Sequence, residues 1–156
     1  MIEIKLCGLK EPSHIEAAFN LGIKYLGFVF FEKSPRFLRN DSAKSLISLT
    51  PPGIIKVGLV VNPSDECLNS ISGLNLDMIQ LHGSESINRV KEIKSKFNFS
   101  LIKAIGIKEK KDLDLVESYS EVADHLLIDA KPSSNASLPG GNGIKFDWTI
   151  LEKKSW

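Results

Sequence analysis

Short, continuous apolar runs recur along this chain, at 2–7, 25–30, 54–61, 78–81, 101–105 and 125–129, with longer amphipathic segments between them. Hydrophobicity that is continuous, not alternating, predicts strands covered on both faces, as in a parallel sheet. The segments between them read as helices. Pro12-Ser13 opens one that carries Ile15, Ala17, Ala18 and Leu21, with Gly22 as its stop. Asp41-Ser42 opens another over 43–49, which Pro51-Pro52 ends. Pro63-Ser64 opens 65–71, Glu85-Ser86 opens 87–97, and 109–119 follows the fifth strand. Strand ends recur every 20 to 30 residues, roughly the cadence of a repeated strand–helix unit. Strict alternation leaves two architectures, an open doubly wound sheet or a (β/α)8 barrel, and periodicity alone does not choose between them. There is no GxGxxG after the first strand and no GxxxxGK[ST] anywhere, so nucleotide-binding versions of the open sheet lose support.

Composition narrows the function classes. At 156 residues and 42% hydrophobic, the chain fits a single domain spanning 1–156. A net charge of +1 with 8% aromatic residues offers no basic stripe and no stacking platform, which argues against nucleic acid as a partner. The apolar runs are strand-sized and Glu3 stands where a secretory signal would be basic, so neither a membrane span nor a signal peptide is expected and the cytoplasm is the default. Cys7 and Cys67 show no CxxC spacing, and a reducing compartment keeps both as thiols. No set of His, Cys, Asp and Glu has metal-ligand spacing, so no metal is expected.

In barrels and open parallel sheets alike, ligands collect at the carboxyl ends of the strands. That face would gather Cys7, the Lys33-Ser-Pro-Arg36 loop, Asn62, the Gln80-Leu-His82-Gly83 turn and Asp129. A free cysteine also serves as a small core hydrophobe, and a strand-end aspartate also accepts backbone N–H groups in its turn. As a pair, Cys7 and Asp129 suit an isomerisation, the thiolate taking a proton from carbon and the carboxylic acid protonating an oxygen. Such a couple needs the Cys7 pKa lowered and the Asp129 pKa raised. Arg36 follows Ser34-Pro35, a turn suited to aiming its guanidinium at a carboxylate. His82 serves structure as readily as it contacts a ligand, and His14 and His125 are weaker candidates. The Ser-, Pro- and Gly-rich stretch 131–144 is either a flexible linker or an active-site lid whose glycine N–H groups approach a ligand. Phe146-Asp147-Trp148 then restores apolar character and is suited to begin a short helix.

Lys5-Leu-Cys-Gly-Leu9, Leu26-Gly-Phe-Val-Phe30, Lys33-Ser-Pro-Arg36, Lys56-Val-Gly-Leu-Val-Val-Asn62, Gln80-Leu-His-Gly83, Leu126-Leu-Ile-Asp-Ala130 and Gly140-Gly-Asn-Gly143 followed by Phe146-Asp-Trp148 run colinearly along the chain. Together they resemble the phosphoribosylanthranilate isomerase family. The resemblance implies a (β/α)8 TIM barrel acting in tryptophan biosynthesis. It implies conversion of N-(5-phosphoribosyl)anthranilate into 1-(2-carboxyphenylamino)-1-deoxyribulose 5-phosphate, an Amadori rearrangement of a small phosphorylated substrate that needs no cofactor. By the same resemblance Asp129 is the general acid, Cys7 the general base and Arg36 the residue that holds the anthranilate carboxylate. Gly140, Gly141 and Gly143 belong to the mobile segment, 131–144, that closes over the substrate.

The sequence departs from that pattern in extent. A full barrel needs roughly 200 residues or more, whereas six strand–helix units make only a partial barrel. In the family two further units bind the substrate phosphate through glycine-rich turns after the seventh and eighth strands. The expectation is a partial α/β TIM barrel with weak or no activity on its own and a tendency to form homo-oligomers through the exposed edges of its first and sixth strands. The alternatives are a non-catalytic fragment that needs a complementary chain or a second copy, and an open-sheet α/β binding domain that would leave the motifs unexplained.

Overall fold

The computed structural model describes residues 2–133, 136, 138–141, 143–145 and 147–152. Six parallel strands lie side by side in chain order: β1 (Lys5–Cys7), β2 (Tyr25–Val29), β3 (Ile55–Val60), β4 (Met78–Leu81), β5 (Ser100–Ile107) and β6 (His125–Ala130). Each of the five crossovers carries a helix: α1 (Pro12–Asn20), α2 (Asn40–Ser48), α3 (Asp65–Ser72), α4 (Ile87–Lys96) and α5 (Leu113–Ser120). A doubly wound sheet reverses its strand order at a switch point, and this sheet does not. The order runs as barrel staves do, and β1 and β6 each pair on one side only among the described residues.

Alternation along the strands separates two layers. Val57, Met78 and Ile102 pack together with Tyr25, Ile55 and Leu127 on the inner face, as side chains fill the lumen of a barrel. Leu26, Phe28, Ile79, Leu81 and Leu101 face the other way, into one large cluster with Ala18, Leu46, Leu68, Ile71, Val90 and Ile93 of the helices. The register sets Leu59 beside Gln80, so these inward side chains near the strand ends stand one level above Val57 and Met78.

Element boundaries differ from the apolar pattern for local reasons. β1 begins at Lys5, later than the apolar run, because Ile2 and Ile4 find no layer to bury against and stay exposed. Ser64 and Ser86 cap α3 and α4, their hydroxyls accepting from the N–H groups of Cys67 and Arg89 at 3.2 Å. Glu85 is therefore not part of the α4 start. It turns inward instead and is buried. At α1 and α2 the N-cap positions fall on Glu11 and Arg39, neither with a side-chain cap, so Pro12 takes the first helical position and Asp41 lies in the first turn. Beyond β6, a 3-10 turn spans Trp148–Leu151, while Asn142 and Phe146 of the quoted motifs lie outside the described residues.

Candidate active site

Cys7 is the last residue of β1, paired in register with Gly27. A methyl at Gly27 would meet the Cys7 Sγ at 2.7 Å, so the glycine leaves the thiol its space on the inner face. Gly8 then takes a φ of +87° while its N–H donates to the Gly27 carbonyl at 2.8 Å. A side chain at Gly8 would also collide with the aliphatic stem of Arg36, which crosses directly over it. Arg36 reaches this position from the Ser34-Pro35 turn. The Phe37 N–H donates to the Ser34 carbonyl at 3.0 Å and the Arg36 N–H to the Ser34 hydroxyl at 3.2 Å. The guanidinium Nη1 donates to the Cys7 carbonyl at 3.3 Å, which ties the arginine to the end of β1.

Asp129 is the inward residue near the end of β6, level with Gly106 on β5. Its Oδ1 accepts from the Ala130 N–H at 2.8 Å, the bond expected of a strand-end aspartate. Its Oδ2 lies 3.4 Å from His82 Nε2. The hydrogen bond from His82 outweighs partial burial, and with the Ala130 and Gly141 N–H groups it holds the Asp129 carboxyl below the usual carboxylate range. This is opposite to the raised pKa expected of an acid. The side chain is 32% exposed in the open site, so burial is not yet dominant.

Cys7, Arg36 and Asp129 line one cavity of about 340 Å³ at the carboxyl ends of the strands, floored by Leu59 and Gln80. The chain returns over it at Leu138, Pro139, Gly140 and Gly141. Gly140 packs so tightly against His82 Nε2 and Asp129 Oδ2 that any side chain there would displace them. Gly143, at a φ of +64°, has open space around it and does not line the cavity. Asn62, at a φ of 45°, spends its side chain on the loops, its Oδ1 accepting from the Ser84 N–H at 2.9 Å. His14 remains exposed near the start of α1.

A buried ion pair, which the apolar pattern concealed, underpins the site. Lys103 on β5 reaches Glu85 Oε2 at 2.8 Å with side chains 3% and 1% exposed. Lys103 also donates to the Gly83 carbonyl at 2.7 Å, and Glu85 Oε1 accepts from the Asn62 N–H at 2.7 Å and the Gly83 N–H at 3.1 Å. Tyr119 of α5 closes the cluster, its hydroxyl donating to the Glu85 carbonyl at 2.7 Å. The loops after β3 and β4 are thereby locked to β5, which fixes where His82 stands. The available signal was a lysine inside the otherwise apolar stretch Leu101-Ile-Lys-Ala-Ile105. A charge buried there requires a partner.

The chain is similar to proteins of one family. The chain is 49% identical over 157 residues to the N-(5'-phosphoribosyl)anthranilate isomerase of Ruegeria sp. (strain TM1040), a match covering 99% of this chain and 73% of that protein. The phosphoribosyl anthranilate isomerase structure from Thermotoga maritima superposes with a TM-score of 0.83 at 30% identity, covering 97% of this chain and 70% of the other. A phosphoribosyl anthranilate isomerase solved with reduced 1-(o-carboxyphenylamino)-1-deoxyribulose 5-phosphate superposes at a TM-score of 0.81 and 27% identity, covering 97% of this chain and 69% of that one. The family model described as N-(5'phosphoribosyl)anthranilate (PRA) isomerase matches residues 4–156. With six staves in barrel order and Cys7, Arg36 and Asp129 around one cavity, the chain belongs to the N-(5'-phosphoribosyl)anthranilate isomerase family.

Proposed function

We propose that this chain carries the acid–base machinery that isomerises N-(5'-phosphoribosyl)anthranilate to 1-(o-carboxyphenylamino)-1-deoxyribulose 5-phosphate. The observation that carries the reading is the convergence of Cys7, Arg36 and Asp129 on one cavity. Substrate and product are isomers, so the balance calls for proton transfers alone and no cofactor enters. Arg36 pairs with the anthranilate carboxylate, a match of planar fork to planar anion, after giving up its bond to the Cys7 carbonyl. Substrate filling the cavity displaces water from Asp129, and that desolvation raises the carboxyl towards the acid form. Asp129 then gives its proton to the furanose ring oxygen, the C1–O bond breaks, and a Schiff base forms at C1. The Cys7 thiolate removes the proton from C2, and the electrons move into a C1–C2 double bond to give the enolamine. Protonation at C1 together with loss of the C2 hydroxyl proton completes the ketone.

The segment through Gly140 and Gly141 serves as the lid. Its contact with both His82 and Asp129 supports this reading, since closure there excludes water from the acid step. A second copy would associate through the exposed edges of β1 and β6, each paired on one side only among the described residues. No helix among the described residues is long and apolar enough to cross a membrane, and cytoplasmic residence is proposed from the biosynthetic family. Turnover is followed by the change in substrate fluorescence. Binding of the reduced product analogue, measured by calorimetry, is a second readout that does not depend on turnover. Arg36→Met should weaken that binding by roughly tenfold to a hundredfold, the loss of a charge-assisted pair. Unchanged affinity would remove Arg36 from the substrate.

A further inference from the structure

We infer that Gln80 is a positioning residue for the acid step, its buried carboxamide selecting the His82 tautomer that presents Nε2–H to Asp129. The inference rests on the proposed role of Asp129 and goes beyond it by assigning how that group is held. Gln80 is an inward residue of β4, between Leu59 and Ile102, and only 1% exposed. Its Nε2 lies 2.6 Å from His82 Nδ1. An amide nitrogen only donates, so Nδ1 must offer its lone pair and the neutral ring carries its proton on Nε2. That nitrogen is the one facing Asp129 Oδ2.

The other end of the amide makes the assignment more than a packing choice. Gln80 Oε1 is buried and has no hydrogen-bond partner among the described residues. A buried acceptor left unmet is costly, and a methionine or leucine would fill the same space without that cost. Among the described residues, the side chain's one polar bond is to His82. Turning the amide over would set Oε1 against Nδ1, require Nδ1–H, and leave Nε2 aiming a lone pair at the carboxylate. The orientation found here instead stabilises Asp129 in the state it reaches after donating its proton. The transferred proton stays on the ring oxygen of the substrate, no bond of His82 breaks, and Nε2–H meets the new charge. Gly140 seals the contact from above, since no side chain fits there. Lys5, Cys7, Arg36 and Lys131 are the other titratable side chains lining the two cavities that meet at His82 and Asp129. A third group that orients the base or acid partner of a catalytic residue is a recurrent device in proton-transfer sites.

Nitrogen-15 NMR of the imidazole rings tests this on the 156-residue chain without requiring turnover. Only three histidines contribute, and loss of one signal in His82→Asn identifies the ring. The expected result at neutral pH is the Nε2–H tautomer in the unaltered chain. Gln80→Glu, which offers Nδ1 only an acceptor, should move the ring to Nδ1–H or to the imidazolium, and Gln80→Met should give a mixture. An Nδ1–H tautomer in the unaltered chain would overturn the inference. So would one tautomer common to all three proteins. If the variants do not fold, the unaltered chain alone decides the matter. In turnover, Gln80→Met should lower kcat by about tenfold to a hundredfold with KM unchanged, and a change in KM alone would count against it. Asp129→Asn separates the two readings: turnover retained there refutes the acid, while the tautomer result stands by itself.

Discussion

The middle of the sheet and its two edges are built to different standards. Every residue of β4 is buried, and its outward Ile79 and Leu81 share one cluster with Leu68 and Ile71 of α3 and Val90 and Ile93 of α4. In β1 no residue is buried and Leu6 is 43% exposed, and no residue of β6 is buried either. The proposed base nevertheless stands on β1 and the proposed acid on β6. Side chains that must exchange protons with a ligand need open surroundings, whereas side chains that hold the sheet together need closed ones. The central strands contribute the floor, Leu59 and Gln80, and the locked loop that carries His82. The division predicts that substitutions at the edges change chemistry, while at the centre those in the packed core change stability and Gln80, behind the proposed acid, changes kcat.

The largest expected effects fall at the edges and in turnover alone. Cys7→Ala and Asp129→Asn should each cut kcat by about a hundredfold to ten-thousandfold, the usual range for one proton-transfer group. Urea midpoints should hardly move. Activity kept by either variant would end that residue's assignment. At the centre, Glu85→Ala strands the Lys103 ammonium in the interior and should cost about 3–5 kcal/mol in urea unfolding. Replacing both residues with methionine should recover most of the loss, and an unrecovered double variant would show that the wider network, not the stranded charge, sets the cost.

The comparison sharpens further with one apolar truncation on each side. Leu81→Ala should lose about 2–5 kcal/mol, and Leu6→Ala less than about 1 kcal/mol, because only the first leaves a cavity. Equal losses would erase the distinction between the regions. A pH-dependent effect of intermediate size lies at the link between them, where buried Asp112 receives Lys131 at 2.7 Å from just beyond β6. Burial pushes the Asp112 carboxyl up, but Lys131 and the N–H groups of Lys108 and Glu109 outweigh it and set its pKa at about 2. A depressed carboxylate stabilises the fold above its unfolded pKa of 3.8 and loses that contribution as the pH falls from there towards 2. About 2 kcal/mol should disappear over this window, and Asp112→Asn should flatten that part of the stability profile.

Much of the site was legible because strand ends carry both the periodicity and the chemistry. Cys7 and Asp129 each close an apolar run, and Ser34-Pro35 marks the turn that aims Arg36. What stayed hidden depends on neighbours distant in the chain. The Glu85–Lys103 pair joins a loop residue to a strand residue, and in the sequence Glu85 looks like part of a helix start. Gly27 resembled any strand glycine until its register placed it beside the thiol. The raised Asp129 pKa expected from its role is absent in the open cavity, because His82 and two backbone N–H groups reach the carboxylate.

Patterning along the chain determined six strands, five crossover helices and the residues that stand at the strand ends, since these follow from side-chain period and local turn chemistry. Only the tertiary structure decided that the strands run as barrel staves, that Gly143 stands away from the cavity its neighbours cover, and that Gln80 and His82 stand behind Asp129. Those outcomes turn on curvature, register and the hydrogen bonds available in a crowded interior. A linear pattern carries none of them, because each is a relation between residues that only folding brings together.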